Sequence, residues 1–318
     1  MAVRSLIGWR ALKAIADHLA ASGYATDFFL YGLSQEVIRL VLRASLEEGR
    51  ISDSTAKAVT EWLVKHIHEG DHSTRFLRSA PVLNYENGNL HLLRVRELAE
   101  LLFNLQGVPN IHSLIFRRIF DDPQNLEATV LELEGMRLLN WARLPFLLNV
   151  PGKTKFNYEC DIKLTESVTA FCEMKCKLEG TEPSKGAIVG PLGHARGQLP
   201  ENGCGIVIIK LPMQWPIGGG TSEVINDAVD GVLRNTTRIA NVVLYRHHFL
   251  LTEQHAATSI SVKEIPNKRS PFYEMVKAGI FKDVANPLST SWLHFVWLNN
   301  YESFKETYDR YHQGLKTK

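Results

Sequence analysis

Hydrophobic and polar residues alternate along two short segments in the middle of the chain, Phe156–Leu164 and Thr169–Leu178. Alternation with a period of two predicts β-strands, because successive side chains of a strand point to opposite faces of the sheet. The apolar face carries Cys160, Ile162, Leu164, Cys172, Met174 and Cys176. The polar face carries Glu159, Asp161, Lys163, Glu173, Lys175 and Lys177. A turn at Thr165–Thr169 would make the strands antiparallel neighbours, so that Asp161, Glu173 and Lys175 share one surface.

The chain before this hairpin follows a helical period. From Ser5 to about Phe120, apolar residues recur every three or four positions, which indicates helices with one buried face. The predicted helices are Leu6–Leu19, Ser34–Glu48, Ser52–His68 and Arg94–Leu105. The Asn87-Gly88 pair predicts a short hairpin over Val82–Leu92. Residues 1–120 are therefore expected to form a mainly α-helical domain that binds DNA in the manner of a winged helix, or binds a protein partner.

A second domain is expected over residues 121–318, beginning at Asp121-Asp122-Pro123. Two acidic residues and a proline favour the start of a helix, which is predicted to reach about Trp141. Three acidic residues lie on this helix, Glu127, Glu132 and Glu134, and the periodicity does not decide which of them faces the rest of the domain. Further strands are predicted at Pro145–Val150, Gly205–Leu211, Asn241–Leu251 and Ser259–Ile265, and further helices begin at Ser184 and near Thr221. Helices between strands predict an α/β domain.

Composition is that of a water-soluble globular protein, with 45% hydrophobic and 22% charged residues among 318. The formal net charge is only +2, so a nucleic-acid-binding surface would have to be local. No apolar run approaches the roughly 18 residues of a membrane span, and the charged N-terminal stretch predicts an amphipathic helix instead of a signal peptide. The four cysteines form no CxxC pair, which favours free thiols in a reducing cytoplasm.

On the polar face of the predicted hairpin, Asp161 and Glu173 would lie beside Lys175, which brings two carboxylates and one ammonium group together. Like charges at short range raise one another's pKa, and a divalent cation relieves that cost. Carboxylate oxygens suit Mg²⁺, which takes phosphate oxygens among its remaining ligands. Lys175 would then hold an attacking water or stabilise charge that develops on a phosphate. The same Glu-x-Lys pattern is also typical of an exposed ladder of ion pairs.

Asp161, followed twelve positions later by Glu173-Met174-Lys175, resembles the motif of the PD-(D/E)XK nuclease superfamily. The resemblance covers roughly residues 121–212, and Cys160 precedes the aspartate where that motif has proline. It implies a restriction-endonuclease-like αβββαβ core with a mixed sheet, preceded by the α-helical domain. It also implies a Mg²⁺-dependent endonuclease that acts on DNA, with Mn²⁺ as a substitute metal.

The resemblance assigns roles to the site residues. Asp161, Glu173 and the backbone carbonyl of Met174 would hold the metal. Lys175 would position the water, and Glu132 would complete the acidic cluster from the preceding helix.

Substrate contacts are expected beside this cluster. The resemblance points to Arg196 and Gln198, on the helix that follows Ser184. Lys153 and Lys155 precede Asp161 and would contact phosphates, or else form only a charged hairpin tip. Cleavage of both strands of a duplex would favour a homodimer.

Two other functions fit parts of the sequence. In the first, the polar face is a salt-bridged surface, and the chain is a non-catalytic module that binds nucleic acid or protein. In the second, His66-Ile67-His68-Glu69-Gly70-Asp71-His72 binds the metal of a metallo-hydrolase. That segment follows a predicted helix, where histidines also suit the dipole of the last turn.

Overall fold

The computed structural model describes residues 14, 17–18, 21, 26–45, 52–69, 87–109, 111, 114, 126–149, 157–177, 180–212, 214–215, 220–251 and 256–281. These residues fall into two compact units, which divide between Leu133 and Glu134. The domain boundary predicted at residues 121–123 lies outside the described residues, as does most of the first predicted helix, Leu6–Leu19.

The described part of the first unit is helical. It contains α1 (Thr26–Ser45), α2 (Asp53–Glu69) and α3 (Asn87–Leu105). α1 packs against α2 and α3 and buries residues such as Val37, Val41 and Leu98. Ser52 caps α2, because its Oγ accepts a hydrogen bond from the Thr55 N–H at 3.1 Å.

The hairpin predicted over Val82–Leu92 is wrong for residues 87–92, which form the first part of α3; residues 82–86 lie outside the described part. Asn-Gly is a signal for a tight turn, but asparagine also favours the start of a helix. Leu92, Val95, Leu98 and Leu102 then recur at the helical spacing of three or four residues.

The second unit is built on a β-sheet. Its elements include the latter part of α4, which runs over Leu126–Trp141, and then β1 (Phe146–Leu148), β2 (Cys160–Lys163), β3 (Thr169–Cys176), α5 (Lys185–Gln198), β4 (Cys204–Lys210), α6 (Gly220–Leu233), β5 (Ile239–Leu251), β6 (Ala256–Pro266) and α7 (Tyr273–Val276). The strands lie in the order β1-β2-β3-β4-β5-β6 in one sheet. β3, β4 and β5 are mutually parallel, and the other neighbours are antiparallel. The mixed sheet with helical crossovers confirms the general α/β class and the predicted β2–β3 hairpin.

Both faces of this sheet are covered. α5 and α6 lie over one face, where Ile188, Leu192, Ala228 and Val229 form a buried core with Val207 and other strand residues. On the other face, α4 approaches β3 closely at Gly135, where an added Cβ would lie 2.5 Å from the Met174 Sδ. Every residue of β4 is buried, as expected of a central strand that is covered on both faces. Within the described part of the chain, no helix combines the length and apolar character needed to span a bilayer.

Candidate functional site

The register of the β2–β3 hairpin sets which polar residues are neighbours. Cys160 pairs with Cys172, and Asp161 pairs with Phe171. Asp161 and Glu173 therefore point to the same face, but they are diagonal neighbours, which in an antiparallel pair lie about 7–8 Å apart between Cα atoms. The expected surface shared by Asp161, Glu173 and Lys175 exists, with Phe171 directly opposite the aspartate.

The apolar face of the hairpin is built as the alternation predicts. Cys160 and Cys172 are buried, Met174 packs under α4, and Cys176 is partly buried. All four cysteines are free thiols. Cys160, Cys172 and Cys204 act as small buried hydrophobic residues.

The polar face is not a solvated surface. The Glu173 side chain is 0% exposed and that of Lys175 is 23% exposed. Glu173 is buried because α5 and α6 pack over this side of the sheet. An exposed ladder of ion pairs does not describe a carboxylate held at this depth.

Lys175 is held by two partners from different elements. Its Nζ is hydrogen bonded to the Glu173 Oε1, and it donates to the Gln198 Oε1 at 2.8 Å. The Gln198 Nε2 in turn donates to the backbone oxygen of Asn157 at 3.0 Å. The end of α5 thus links the ammonium group to the segment that enters β2.

Glu159 lies at the point where the ladder between β2 and β3 ends. Its Oε2 accepts a hydrogen bond from the Met174 N–H at 2.9 Å, in a buried position. Its own N–H donates to the Cys172 carbonyl at 2.9 Å. Sequence reasoning put Glu159 on the polar face but gave it no role. The sequence shows that Glu159, two residues before Asp161, shares the same face of the strand. It does not show where the pairing between β2 and β3 ends.

The carboxyl groups of Glu159 and Glu173 meet in the interior. Burial, followed by the hydrogen bond and the charge of Glu159, raises the pKa of Glu173 to about 9, against the opposing effect of Lys175. Within the described residues, the Glu173 Oε2 faces no hydrogen-bond donor. The contact between the two glutamates therefore needs a shared proton or a cation.

Asp161 has a different environment. The Tyr158 hydroxyl is hydrogen bonded to its carboxylate, and burial together with this contact raises the pKa of Tyr158 above its ordinary value. The Tyr158 ring meets the Phe171 ring edge-on, with 5.2 Å between centroids. The Asp161 Oδ1 is buried and faces no donor among the described residues.

The acidic residues of α4 do not share one location. Glu134 lies 3.7 Å from the Lys210 Nζ (Oε2 to Nζ) and 3.3 Å from the Tyr245 hydroxyl. Lys210 pairs with Cys176, so this buried network belongs to the sheet face opposite Glu173. Glu132 is partly buried, in the part of α4 that belongs to the first unit, and its role in the acidic cluster stays a prediction. The Glu127 side chain lies outside the described residues.

Of the predicted substrate-binding residues, Gln198 contacts the Glu173–Lys175 pair and Arg196 does not. Gln198 contacts Lys175 as described, whereas the Arg196 side chain is exposed and its backbone oxygen accepts a hydrogen bond from Arg238 at 3.4 Å. Lys153 and Lys155 lie outside the described residues.

The histidine segment is described only in part. His66 packs against Trp62, with 4.2 Å between ring centroids. The side chain of His68 and all of residues 70–72 lie outside the described part, so the metallo-hydrolase alternative stays a prediction.

No three His, Cys, Asp or Glu side chains form a metal-binding group within the described ranges. Comparisons with protein-family models, curated proteins and solved structures give no significant match to this chain. The chemistry of the hairpin and of α5 is therefore the basis for a functional assignment.

Proposed function

We propose that the second unit is a Mg²⁺-dependent nuclease that hydrolyses phosphodiester bonds, with DNA as its substrate and Mn²⁺ as a substitute metal. The observation that carries the proposal is the buried Glu173 carboxyl, which bonds Lys175 on one oxygen and faces no donor with the other within the described residues. A carboxylate at this depth is costly unless a cation or proton compensates it.

The order of the elements supports the same proposal. α4, β1, β2, β3, α5 and β4 follow one another along the chain, which is the αβββαβ order of a restriction-endonuclease-like core. β2 and β3 form the hairpin that carries the motif, and α5 crosses to the parallel strand β4.

The residues present fit a hard divalent cation. Glu173, the Met174 carbonyl and a carboxylate of β2, for which the resemblance designates Asp161, would supply oxygen ligands of the kind that Mg²⁺ prefers. The bound cation would supply Lewis acidity and neutralise charge on the phosphate.

The remaining chemistry belongs to Lys175. Its ammonium group is oriented by Glu173 and Gln198, and it would donate a hydrogen bond to the attacking water or to a phosphate oxygen. The oxygen of that water forms a bond to phosphorus as one ester P–O bond breaks, which leaves a phosphate end and a hydroxyl end.

The test is cleavage of linear, circular, single-stranded and branched DNA, and of RNA, with Mg²⁺ or with EDTA. We expect Mg²⁺-dependent cleavage by the parent protein. Lys175→Ala should lower its rate by a factor of about 100 or more, the usual cost of removing one preorganised donor.

Lys185→Ala is the matched control, because Lys185 is an exposed lysine at the start of α5 and should leave the rate unchanged. Equal cleavage by Lys175→Ala and the parent would overturn the role of Lys175. A parent protein that neither cuts nucleic acid nor binds Mg²⁺ would instead favour the non-catalytic module.

A further inference from the structure

The carboxylate that meets Glu173 in the interior is Glu159 and not Asp161. Glu159 comes directly before the Cys160–Cys172 pair on its strand and Glu173 directly after it on the other, and the Glu159 Oε2 lies 2.9 Å from the nitrogen of Met174, the residue that follows Glu173. Asp161 lies two residues further along the chain, where it pairs with Phe171.

Glu159 is also fixed in place. The residue is 8% exposed, and its Oε2 is held by the Met174 N–H at 2.9 Å. Its backbone N–H donates to Cys172, and its carbonyl accepts from the Asn149 N–H, both at 2.9 Å. A carboxylate anchored at both side chain and backbone loses little conformational freedom when it takes up a ligand.

Met174 supplies a third oxygen at the same place. The N–H and C=O groups of one strand residue point to the same edge of the strand. The Met174 N–H points toward Glu159, so its carbonyl is directed to the same edge, just beyond the last β2–β3 pair, Cys160 and Cys172.

We propose that Glu159, the residue immediately before β2, binds the divalent cation together with Glu173 and the Met174 carbonyl. This inference rests on the proposed nuclease function and moves the second carboxylate ligand from Asp161 to Glu159. Two carboxylates and a carbonyl give a hard oxygen site with open positions for water and phosphate.

The experiment measures Mn²⁺ binding directly, by electron paramagnetic resonance of the free ion and by calorimetry, in the full-length protein. The variants are Glu159→Gln, Glu173→Gln and Asp161→Asn, with Glu166→Gln as the control because Glu166 is exposed at the turn of the same hairpin. Glutamine at position 159 keeps an oxygen that accepts the Met174 N–H, so the variant removes charge without removing the structural hydrogen bond.

We expect Glu159→Gln and Glu173→Gln to weaken Mn²⁺ binding by at least about tenfold. Loss of even a residue that only hydrogen bonds to a metal ligand typically lowers metal affinity by about that factor. Asp161→Asn and Glu166→Gln should keep the affinity of the parent. If Glu159→Gln does not fold by circular dichroism, Glu159→Asp, which keeps the charge but shortens its reach, should show the same weakening.

The outcomes separate this inference from the proposed function. A parent protein that binds Mn²⁺ and cleaves DNA, with unchanged binding in Glu159→Gln and lost binding in Asp161→Asn, overturns the role of Glu159 and leaves the nuclease intact. A parent protein that binds no Mn²⁺ and cleaves nothing overturns both.

Discussion

A single carboxyl group, that of Glu173, connects stability with function in this protein. Its pKa is raised from 4.5 to about 9, first by burial and then by the hydrogen bond and charge of Glu159. The folded state therefore binds this proton more tightly than the unfolded chain does. As the pH rises from about 4.5 to about 9, the free energy of unfolding falls, because the folded protein must either hold the proton or bury a charge.

Glu173→Gln should remove this pH dependence, because its amide N–H can take the place of the shared proton. In EDTA at about pH 8, we expect the variant to be more stable than the parent by about 1–3 kcal/mol, since each unit of pKa shift corresponds to about 1.4 kcal/mol. At about pH 5 the two proteins should be nearly equal. Urea unfolding followed by circular dichroism measures both differences, with Glu166→Gln as the control. Parallel stability curves for parent and variant would contradict the raised pKa.

At the scale of an element, α5 shows how packing can outweigh helix propensity. Its sequence contains four glycines and Pro191, which are poor helix formers. Ser184 nevertheless caps the helix by accepting the Ala187 N–H at 3.1 Å, and Ile188 and Leu192 are fully buried under it. Packing against the sheet therefore holds the helix and brings Gln198 to Lys175.

Two glycines of this region should respond to alanine in opposite ways. Nothing lies near an added Cβ at Gly193, so Gly193→Ala should raise the free energy of unfolding by about 0.5–1 kcal/mol. At Gly205 an added Cβ would overlap the backbone oxygen of Arg238 and the Leu199 Cδ1, so Gly205→Ala should lower it by about 1–3 kcal/mol. Thermal unfolding measures both, and a neutral Gly205→Ala would be inconsistent with the close approach of β4 to Arg238.

Much of the hairpin could be predicted from the sequence, because the period of two separates the Cys160 side of β2 from the Asp161 side. The burial of the polar face could not be predicted from the sequence, since it depends on which helices pack over that face. The meeting of Glu159 with Glu173 depends on where the ladder between the strands ends, and local alternation does not encode that point. The start of α3 was missed for a related reason, because Asn87-Gly88 is compatible with both a turn and a helix start.

On the scale of the whole second unit, the sheet separates two buried polar sites with different chemistry. On one face, Glu134 is compensated by Lys210 and Tyr245, so its charge is balanced within the protein. On the other face, Glu159 and Glu173 are two acids with one nearby ammonium, that of Lys175. The remaining negative charge at this second site has to be neutralised by a proton or a cation. We therefore expect divalent metal to raise the stability of the folded unit.

That response gives a prediction for the unfolding temperature. A cation that binds only the folded state, at a concentration about 100 times its dissociation constant, adds about 2.7 kcal/mol. For a unit of this size, the increase corresponds to a rise in Tm of about 5–10 °C. Differential scanning calorimetry with Mg²⁺ or Mn²⁺ against EDTA measures the rise, and added KCl controls for ionic strength.

Metal should shrink or reverse the difference in Tm between the parent and Glu173→Gln. In EDTA at about pH 8, Glu173→Gln starts from the higher Tm because it carries no buried charge. With metal present the parent should gain more stability than Glu173→Gln or Glu159→Gln, because each variant lacks a carboxylate ligand and binds the cation at least about tenfold more weakly. A metal-induced rise of equal size in all three proteins would mean that the cation binds elsewhere, and that the buried glutamate pair is maintained by its shared proton alone.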